Sequence, residues 1–440
     1  MLFSCVILYL LIVLFLFKFY QFYFIFCLLF LLCLNIVGGV FLEPFSTINT
    51  LFIYADRIGV ILVLLSYLIF LMVYLFYYRT KNLIIFLILN FMLISLGMCF
   101  FSCNLLCLYV FFEFCLLPLF LIIVLMGSRV ERFDACVYML IYTFVSSFLF
   151  LLFMCFINNY LVFYIEVIIL SFKVEWGLAW ILIFFIFFVK LPVYSLHRWL
   201  RKAHVEAPVG GSMILAGVLL KLGGFGLYRI LFYINNGDLY CFINFIILFS
   251  LIGAVFSCTI CIRQVDIKLL IAYSSVRHMG LLLAGILSNR KIGFSGAVAI
   301  MVAHGFCSRA LFYVANVYYI RVGTRRMLII KGLVQYFPVL CAFWIGFCLC
   351  NMGTPPSFNF VSEIILLLII FKKRLFLMFI CLFYLFLVVY YNLVLFLRIG
   401  HGHFISNNFI KIETVNEIIV VLFHIVLMFT FLFKSDLYFL

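Results

Sequence analysis

Charge is what this sequence has least of: Asp and Glu supply 14 of 440 residues, and all charged types together make up only 10%. Soluble domains run at about a quarter charged, so the chain lacks the polar surface a water-exposed fold must show. Long polar stretches are missing too. Those between the apolar runs extend about ten residues or fewer, which leaves no room for a nucleotide-, flavin- or iron–sulfur-binding fold. The first apolar run, residues 2–17, has neither a basic start nor a small-residue cleavage site and reads as a retained span. A second cysteine pair is also absent: the one C-x-x-C, Cys258 to Cys261, falls inside an apolar run, which argues against a metal or redox centre.

What is present is hydrocarbon. Apolar residues reach 70%, with 60 Phe alone, and the reading is a polytopic membrane protein. The 29 basic residues give a net charge of +15. They cluster between apolar runs, at Arg79 and Lys81, Arg129 and Arg132, Arg263 and Lys268, and Arg321 to Lys331. That placement suits anchoring at lipid headgroups and does not suit nucleic-acid binding. Because such residues occur at both kinds of loop, they leave the orientation open.

The apolar runs predict spans at residues 2–17, 22–41, 58–78, 83–101, 105–126 and 136–157, then a weaker stretch at 161–172. Further spans follow from residue 180 across Pro192, then at 208–233, 242–261, 267–287, 292–320, 337–371, 375–399 and 418–433. The fold class is therefore an all-α polytopic membrane protein of about fourteen transmembrane helices. The seventh span is interrupted at Pro192 and the twelfth at Gly353-Thr354-Pro355-Pro356, five spans apart. Broken segments at corresponding places are the trace of two inverted five-helix repeats, here residues 81–235 and 236–400. Residues 1–80 and a linker with a last helix, 401–440, flank them.

Ionisable residues at hydrophobic depth carry the functional reading. Lys190 sits two residues before Pro192, and Lys221 just before Gly223 and Gly224, a pair expected to loosen the helix. A lysine at mid-bilayer costs roughly 2.5–3.5 kcal/mol on insertion scales, so folding alone does not recommend it. Glu113 lies about 12 Å inside the fifth span, too deep for a short carboxylate to reach the interface. His278, His304 and Glu363 lie within later spans, with Arg277 and Arg309 close by. The segment HRWLRKAHVE admits two accounts: a headgroup-level connector, or a hydrated mouth where His204 and Glu206 relay protons. His401 and His403 stand on a loop without further metal ligands.

The stretch VKLPVYSLHRWLRKAHVEAPVGGSMILAGVLLKLGGFGLYR closely resembles the signature of the antiporter-like subunits of respiratory complex I, the NADH:ubiquinone oxidoreductase of mitochondria. CIRQVDIKLLIAYSSVRHMG, MVAHGFCSRALFYVAN and NMGTPPSFNFVSEI are similar to the same family's later motifs, in the expected order. The likeness covers residues 105–365. It implies a proton-translocating subunit of the membrane arm in the mitochondrial inner membrane. The partners it implies are other membrane-arm subunits, sibling antiporter-like chains and lipids such as cardiolipin. It implies no cofactor in this chain, with FMN, iron–sulfur clusters and ubiquinone held elsewhere in the complex. By position, Glu113 matches the fifth-helix glutamate, Lys190 the seventh-helix lysine paired with it, Lys221 the central eighth-helix lysine, and Glu363 the twelfth-helix glutamate near the exit. His278 and His304 match histidines of the central polar axis.

Three residues depart from that pattern: Arg201 replaces a usual proline, and Arg277 and Arg309 replace small or hydroxyl residues. Added positive charge disfavours protonation of neighbouring bases, so these arginines must point outward or meet acidic partners. Three other functions compete: a multisubunit cation/proton antiporter whose relatives share these motifs, a haem-bearing carrier using His278 and His304, and a scaffold joining its neighbours. The haem reading lacks the regular histidine pairs of a bis-haem bundle. The scaffold reading leaves four buried acids and bases without a purpose.

Overall fold

A computed structural model of the chain describes residues 56–77, 82–102, 104–127, 129–156, 177–233, 240–373, 376–402 and 415–433. They all belong to one compact unit, Asn49–Leu440. The expected spans at 2–17 and 22–41, the stretch at 161–172 and His403 lie outside the described residues.

Apolar runs fold as helices here because hydrocarbon offers backbone amides no partner but each other. In chain order they are α1 (Arg57–Tyr77), α2 (Leu83–Phe100), α3 (Leu105–Phe114), α4 (Leu116–Met126) and α5 (Arg132–Phe156). After them come α6 (Gly177–Lys190), α7 (Arg198–Glu206), α8 (Val209–Ile214) and, past a π-helical turn at Leu215–Leu219, α9 (Leu220–Tyr233). The remainder are α10 (Tyr240–Arg263), α11 (Ile267–Leu287), α12 (Lys291–Val322), the single turn α13 (Leu333–Tyr336), α14 (Pro338–Met352), α15 (Phe358–Lys373), α16 (Phe376–Gly400) and α17 (Val415–Phe433). Nine stretches among the described residues are long and apolar enough to cross a bilayer, with α3 and α4 together forming one of them.

Burial sorts the spans into a centre and a rim. Within their most apolar stretches, 94%, 94% and 100% of the residues of Val209–Leu231, α11 and α12 are buried, against only 39% in each of the spans of α5 and α16. α12 is the hub and packs against α1, α8, α9, α11, α14, α15 and α17. Its small residues, among them Gly293, Gly296, Ala297, Ala303 and Ala310, let those neighbours approach closely. On the rim, Phe144, Phe379 and Phe386 stand well exposed, which suits contact with lipid tails.

Both expected interruptions are present, and each has its own repair. α6 ends at Lys190, two residues before Pro192. Pro192 offers no amide hydrogen, so the Val193 amide reaches back to Phe188 at 3.1 Å. That strands the Val189 carbonyl, which accepts instead from the indole Nε1 of Trp199 at 2.9 Å. The chain then turns through Ser195, at φ 89°, and resumes as α7. The connector is thus a helix that buries Trp199, Leu200, Ala203, His204 and Glu206. At the second break Gly353 takes φ 74°, a left-handed conformation that side chains resist. The Cys350 carbonyl there accepts both from the Gly353 amide at 3.2 Å and from Asn359 Nδ2 at 2.9 Å.

One local expectation is overturned. Gly223 and Gly224 do not loosen the eighth span, because both lie in the regular helix α9. The irregularity is the π turn one step earlier, at Leu215–Leu219. The glycines serve packing: a Cβ at Gly223 would come 3.0 Å from the Leu191 amide nitrogen and 3.2 Å from Lys190 Cβ. They let α9 lie against the broken end of α6.

Candidate functional site

The π turn creates the first element of the site. Widening the helix by one residue leaves a carbonyl without its usual amide partner, and the Lys221 Nζ donates to the carbonyl of Ala216. Lys221 is wholly buried at the molecule's centre. Across the interface with α12 its ammonium nitrogen lies 3.1 Å from His304 Nδ1. The His304 and His278 rings then stand 5.0 Å apart, centroid to centroid, between α12 and α11. His278 Nδ1 is 3.4 Å from Glu363 Oε1 on α15. A lysine, two imidazoles and a carboxylate therefore form a continuous buried row across four helices.

The far end of that row is densely bonded. Arg277 points inward, with Nη1 3.3 Å from Glu363 Oε1 and donating to the Tyr384 hydroxyl at 2.8 Å. Its Nη2 donates to the Asn351 carbonyl at 3.0 Å and also contacts His278 Nε2. The same imidazole nitrogen lies 3.0 Å from Asn351 Oδ1. A guanidinium can only donate, and an amide oxygen can only accept. His278 Nε2 thus faces one group suited to each tautomer, a setting in which a proton can be taken or given. Asn351 in turn donates to Asn392 Oδ1 at 3.0 Å, which fixes the amide. Asn351, Asn392, Tyr384 and Tyr391 escaped the sequence reading, although polar residues at apolar span positions were the available signal.

The near end is different. Lys190, the last residue of α6, places Nζ 4.2 Å from the centroid of the Phe112 ring. Glu113 follows Phe112 directly; its Oε1 is buried without a hydrogen-bond partner among the described residues. Lys190 and Glu113 make no contact-distance ion pair in this structure, although Glu113 lies within electrostatic reach of Lys190. The aromatic face intercepts the ammonium one residue short of the carboxylate, an attraction that strengthens where water is excluded.

His204 and Glu206 occupy opposite faces of the end of α7. His204 is fully buried, stacked on Phe312 at 4.9 Å, with both ring nitrogens unpartnered among the described residues. Glu206 is itself buried and lies 3.8 Å from Arg129, which is half exposed. Lys268 and Arg325 close the same corner, donating to the carbonyls of Ala207 at 3.2 Å and Val205 at 2.8 Å. Arg325, in the loop after α12, is held below the usual arginine value by burial first and by the charge of Arg129 second.

The three departing arginines take three different positions. Arg201 is exposed and reaches the Tyr273 hydroxyl at 3.4 Å. Arg277 is offset by Glu363, an acidic partner within the chain. Arg309 is fully buried over Phe306, with no hydrogen-bond partner for its three nitrogens among the described residues. Among those residues, no three His, Cys, Asp or Glu side chains converge where they could hold a metal ion.

Comparison with known proteins bears directly on this arrangement. The family described as NADH:quinone oxidoreductase/Mrp antiporter, transmembrane, matches residues 102–390. The NADH-ubiquinone oxidoreductase chain 4 of Albinaria caerulea is 40% identical over 354 residues, covering 80% of each chain. A chain of respiratory complex I from Thermus thermophilus superposes with a TM-score of 0.79 at 22% identity, covering 88% of this chain and 85% of that one. A chain of the Mrp complex from a Dietzia species gives 0.81 at 15% identity, covering 95% and 91%.

Proposed function

Since the chain belongs to the NADH:quinone oxidoreductase/Mrp antiporter transmembrane family, we propose that it works as a proton-translocating, antiporter-like subunit in the membrane arm of respiratory complex I. The observation that carries this reading is the row Lys221, His304, His278, Glu363, with successive groups 3.1 Å, 5.0 Å and 3.4 Å apart by the measures given above. Redox chemistry belongs to other subunits, with their flavin, iron–sulfur clusters and ubiquinone. This chain is an enzyme component by moving charge in step with that reaction. The mitochondrial inner membrane is its setting, other membrane-arm subunits and anionic lipid its neighbours.

The chemistry follows from the groups. Lys221 and the histidines can each hold one proton, and charges at this spacing repel strongly where the surroundings are poorly polarisable. Charge arriving on Lys221 therefore drives a proton from His304 toward His278 and on toward Glu363. Lys190 and Glu113 supply the input: as Glu113 approaches or withdraws, Lys190 gains or loses the partner that favours its charge. His204 and Glu206 lead inward from the basic corner.

The architecture of two inverted five-helix repeats within about fourteen spans has local support. Cys99 Sγ donates to the Leu108 carbonyl across the α2–α3 corner, and Cys261 Sγ to the Leu270 carbonyl across the α10–α11 corner, nine residues in each case. At the two breaks a side chain reaches back ten and nine residues to a carbonyl at the end of the preceding helix, Trp199 to Val189 and Asn359 to Cys350. Matching repairs at matching corners are what a duplicated unit leaves behind.

The test is proton uptake into liposomes holding the assembled complex, counted per NADH oxidised, with Lys221→Met against the natural chain. A fall in the ratio is expected; an unchanged ratio overturns the reading. The second reading, a subunit of a multisubunit cation/proton antiporter, draws on the Mrp-like fold. Purification separates the two, because a complex I subunit copurifies with flavin and iron–sulfur proteins and an antiporter subunit does not.

A further inference from the structure

α17 lies outside both proposed repeats, yet it carries a titratable group into the protein's interior. Val421, His424 and Leu427 form its buried face, and α12 is its main neighbour. His424 is fully buried and its ring stacks on Tyr313 of α12, centroids 6.1 Å apart. Its Nδ1 lies 2.7 Å from the Val420 carbonyl. A carbonyl only accepts, so Nδ1 carries the hydrogen and Nε2 of the neutral ring is left as an acceptor. That Nε2 is buried with no partner among the described residues.

One turn before Tyr313 on the same face of α12 stands Arg309. Its side chain offers only donors, and all three nitrogens are buried and unpartnered among the described residues. An acceptor lacking a donor and a donor lacking an acceptor thus sit against the same tyrosine's helix face, within electrostatic reach of each other. Arg309 is within the same reach of Lys221, and His304 lies five residues before it on α12. At its outer end α17 is held by the ion pair of Glu417 with Arg321.

We infer that His424 accepts a hydrogen bond from Arg309 through one bridging water, and that this link makes the last helix a positioning element for Lys221 and His304. The pairing satisfies both buried groups at once, which neither can achieve alone. It fixes where the Arg309 charge stands relative to Lys221, and so how readily Lys221 accepts a proton. α17 is in this way coupled to the proton row without contributing a member to it.

The inference rests on the proton-translocating reading, and the experiment keeps the two apart. Protons moved per NADH are measured in liposomes holding the assembled complex. Replacing His424 by Leu strands the guanidinium and is expected to lower the ratio about twofold or more. His424→Gln restores it, because the amide oxygen can take the place of Nε2, while the shorter His424→Asn does not. Arg309→Ser in the His424→Leu background recovers part of the loss by removing the stranded charge. An unchanged ratio in His424→Leu overturns the inference. If that variant fails to assemble, the amides decide: Gln near the natural ratio with Asn lowered supports the link, and equal values overturn it. Lys221→Met runs alongside. A loss there with His424→Leu unaffected removes only this inference, whereas no loss at Lys221 removes the functional reading as well.

Discussion

At Lys190 the ammonium faces a benzene ring, whereas at Glu363 the carboxylate faces a guanidinium and an imidazole. Each place holds an ionisable group beside a helix break, but the two are furnished in opposite ways. Around Lys190 and Glu113 the nearest named partners are Phe112 and a buried, unsatisfied carboxylate oxygen. Around Glu363 a mesh of Arg277, His278, Asn351, Tyr384, Asn392 and Tyr391 closes through hydrogen bonds. The sparse end can change partners without breaking bonds, while the meshed end holds its geometry and loses several bonds if disturbed. On the proposed function, input at a loose pair and output through a fixed one would give the proton row a direction.

The sharpest way to break the comparison is to neutralise each end in turn. Glu363→Gln leaves Arg277 buried without its anion, and breaking a buried pair on one side costs roughly 3–5 kcal/mol. The expected result is a clear fall in assembled complex on native gels, together with lost pumping. Lys190→Met, at the other end, forfeits an attraction of about 0.5–2 kcal/mol and strands little. Assembly should persist there while protons per NADH fall. Equal assembly losses at the two ends would show that the contrast in bonding has no energetic content.

A smaller effect probes the mesh alone. Asn351→Leu removes the amide that contacts His278 and donates to Asn392 and Tyr391, so those groups are left to face apolar carbon. Unsatisfied buried polar groups cost about 1–3 kcal/mol. Thermal unfolding of the purified complex should shift by that order, and pumping should fall because His278 loses its orientation. Stability unchanged with pumping lost would assign Asn351 to proton transfer and not to the framework.

How much of this was legible in the sequence depends on the range of the forces involved. Span positions were, because hydropathy is a sum over many residues: α11 runs over Ile267–Leu287, the bounds its apolar run predicted. Lys221, His304, His278 and Glu363 were legible as buried ionisable groups, and their motifs supplied an order. Their contacts were not, since residues 83 apart in sequence, such as Lys221 and His304, meet only when the helices pack. The π turn gave no signal because it costs one hydrogen bond and uses ordinary residues, Leu215 to Leu219. HRWLRKAHVE admits a connector or a hydrated mouth, but not a packed helix, because charge outweighs apolar content along its length. Its buried face becomes visible only at helical spacing, with Trp199, Ala203 and Glu206 on one side. His424 lay in a run otherwise so apolar that one imidazole did not alter its reading as a plain span.

The gentlest test acts on the packing that joins the two ends. Gly223 lets α9 touch the last turn of α6, where an added methyl would meet the Leu191 amide nitrogen at 3.0 Å and Lys190 Cβ at 3.2 Å. Gly223→Ala therefore pushes Lys190 away from the helix that carries Lys221, at an overpacking cost of about 1–3 kcal/mol. Gly97→Ala is the control, because a methyl there meets nothing within 4 Å and a mid-helix alanine is favoured by up to about 1 kcal/mol. Gly97→Ala should leave stability and pumping near the natural values. Gly223→Ala should lower protons per NADH by more than its small change in melting temperature accounts for, because it lengthens the distance over which Lys190 acts on Lys221. If the two alanines behave alike, contact between α6 and α9 does not set that distance, and the input at Lys190 must reach Lys221 by another route.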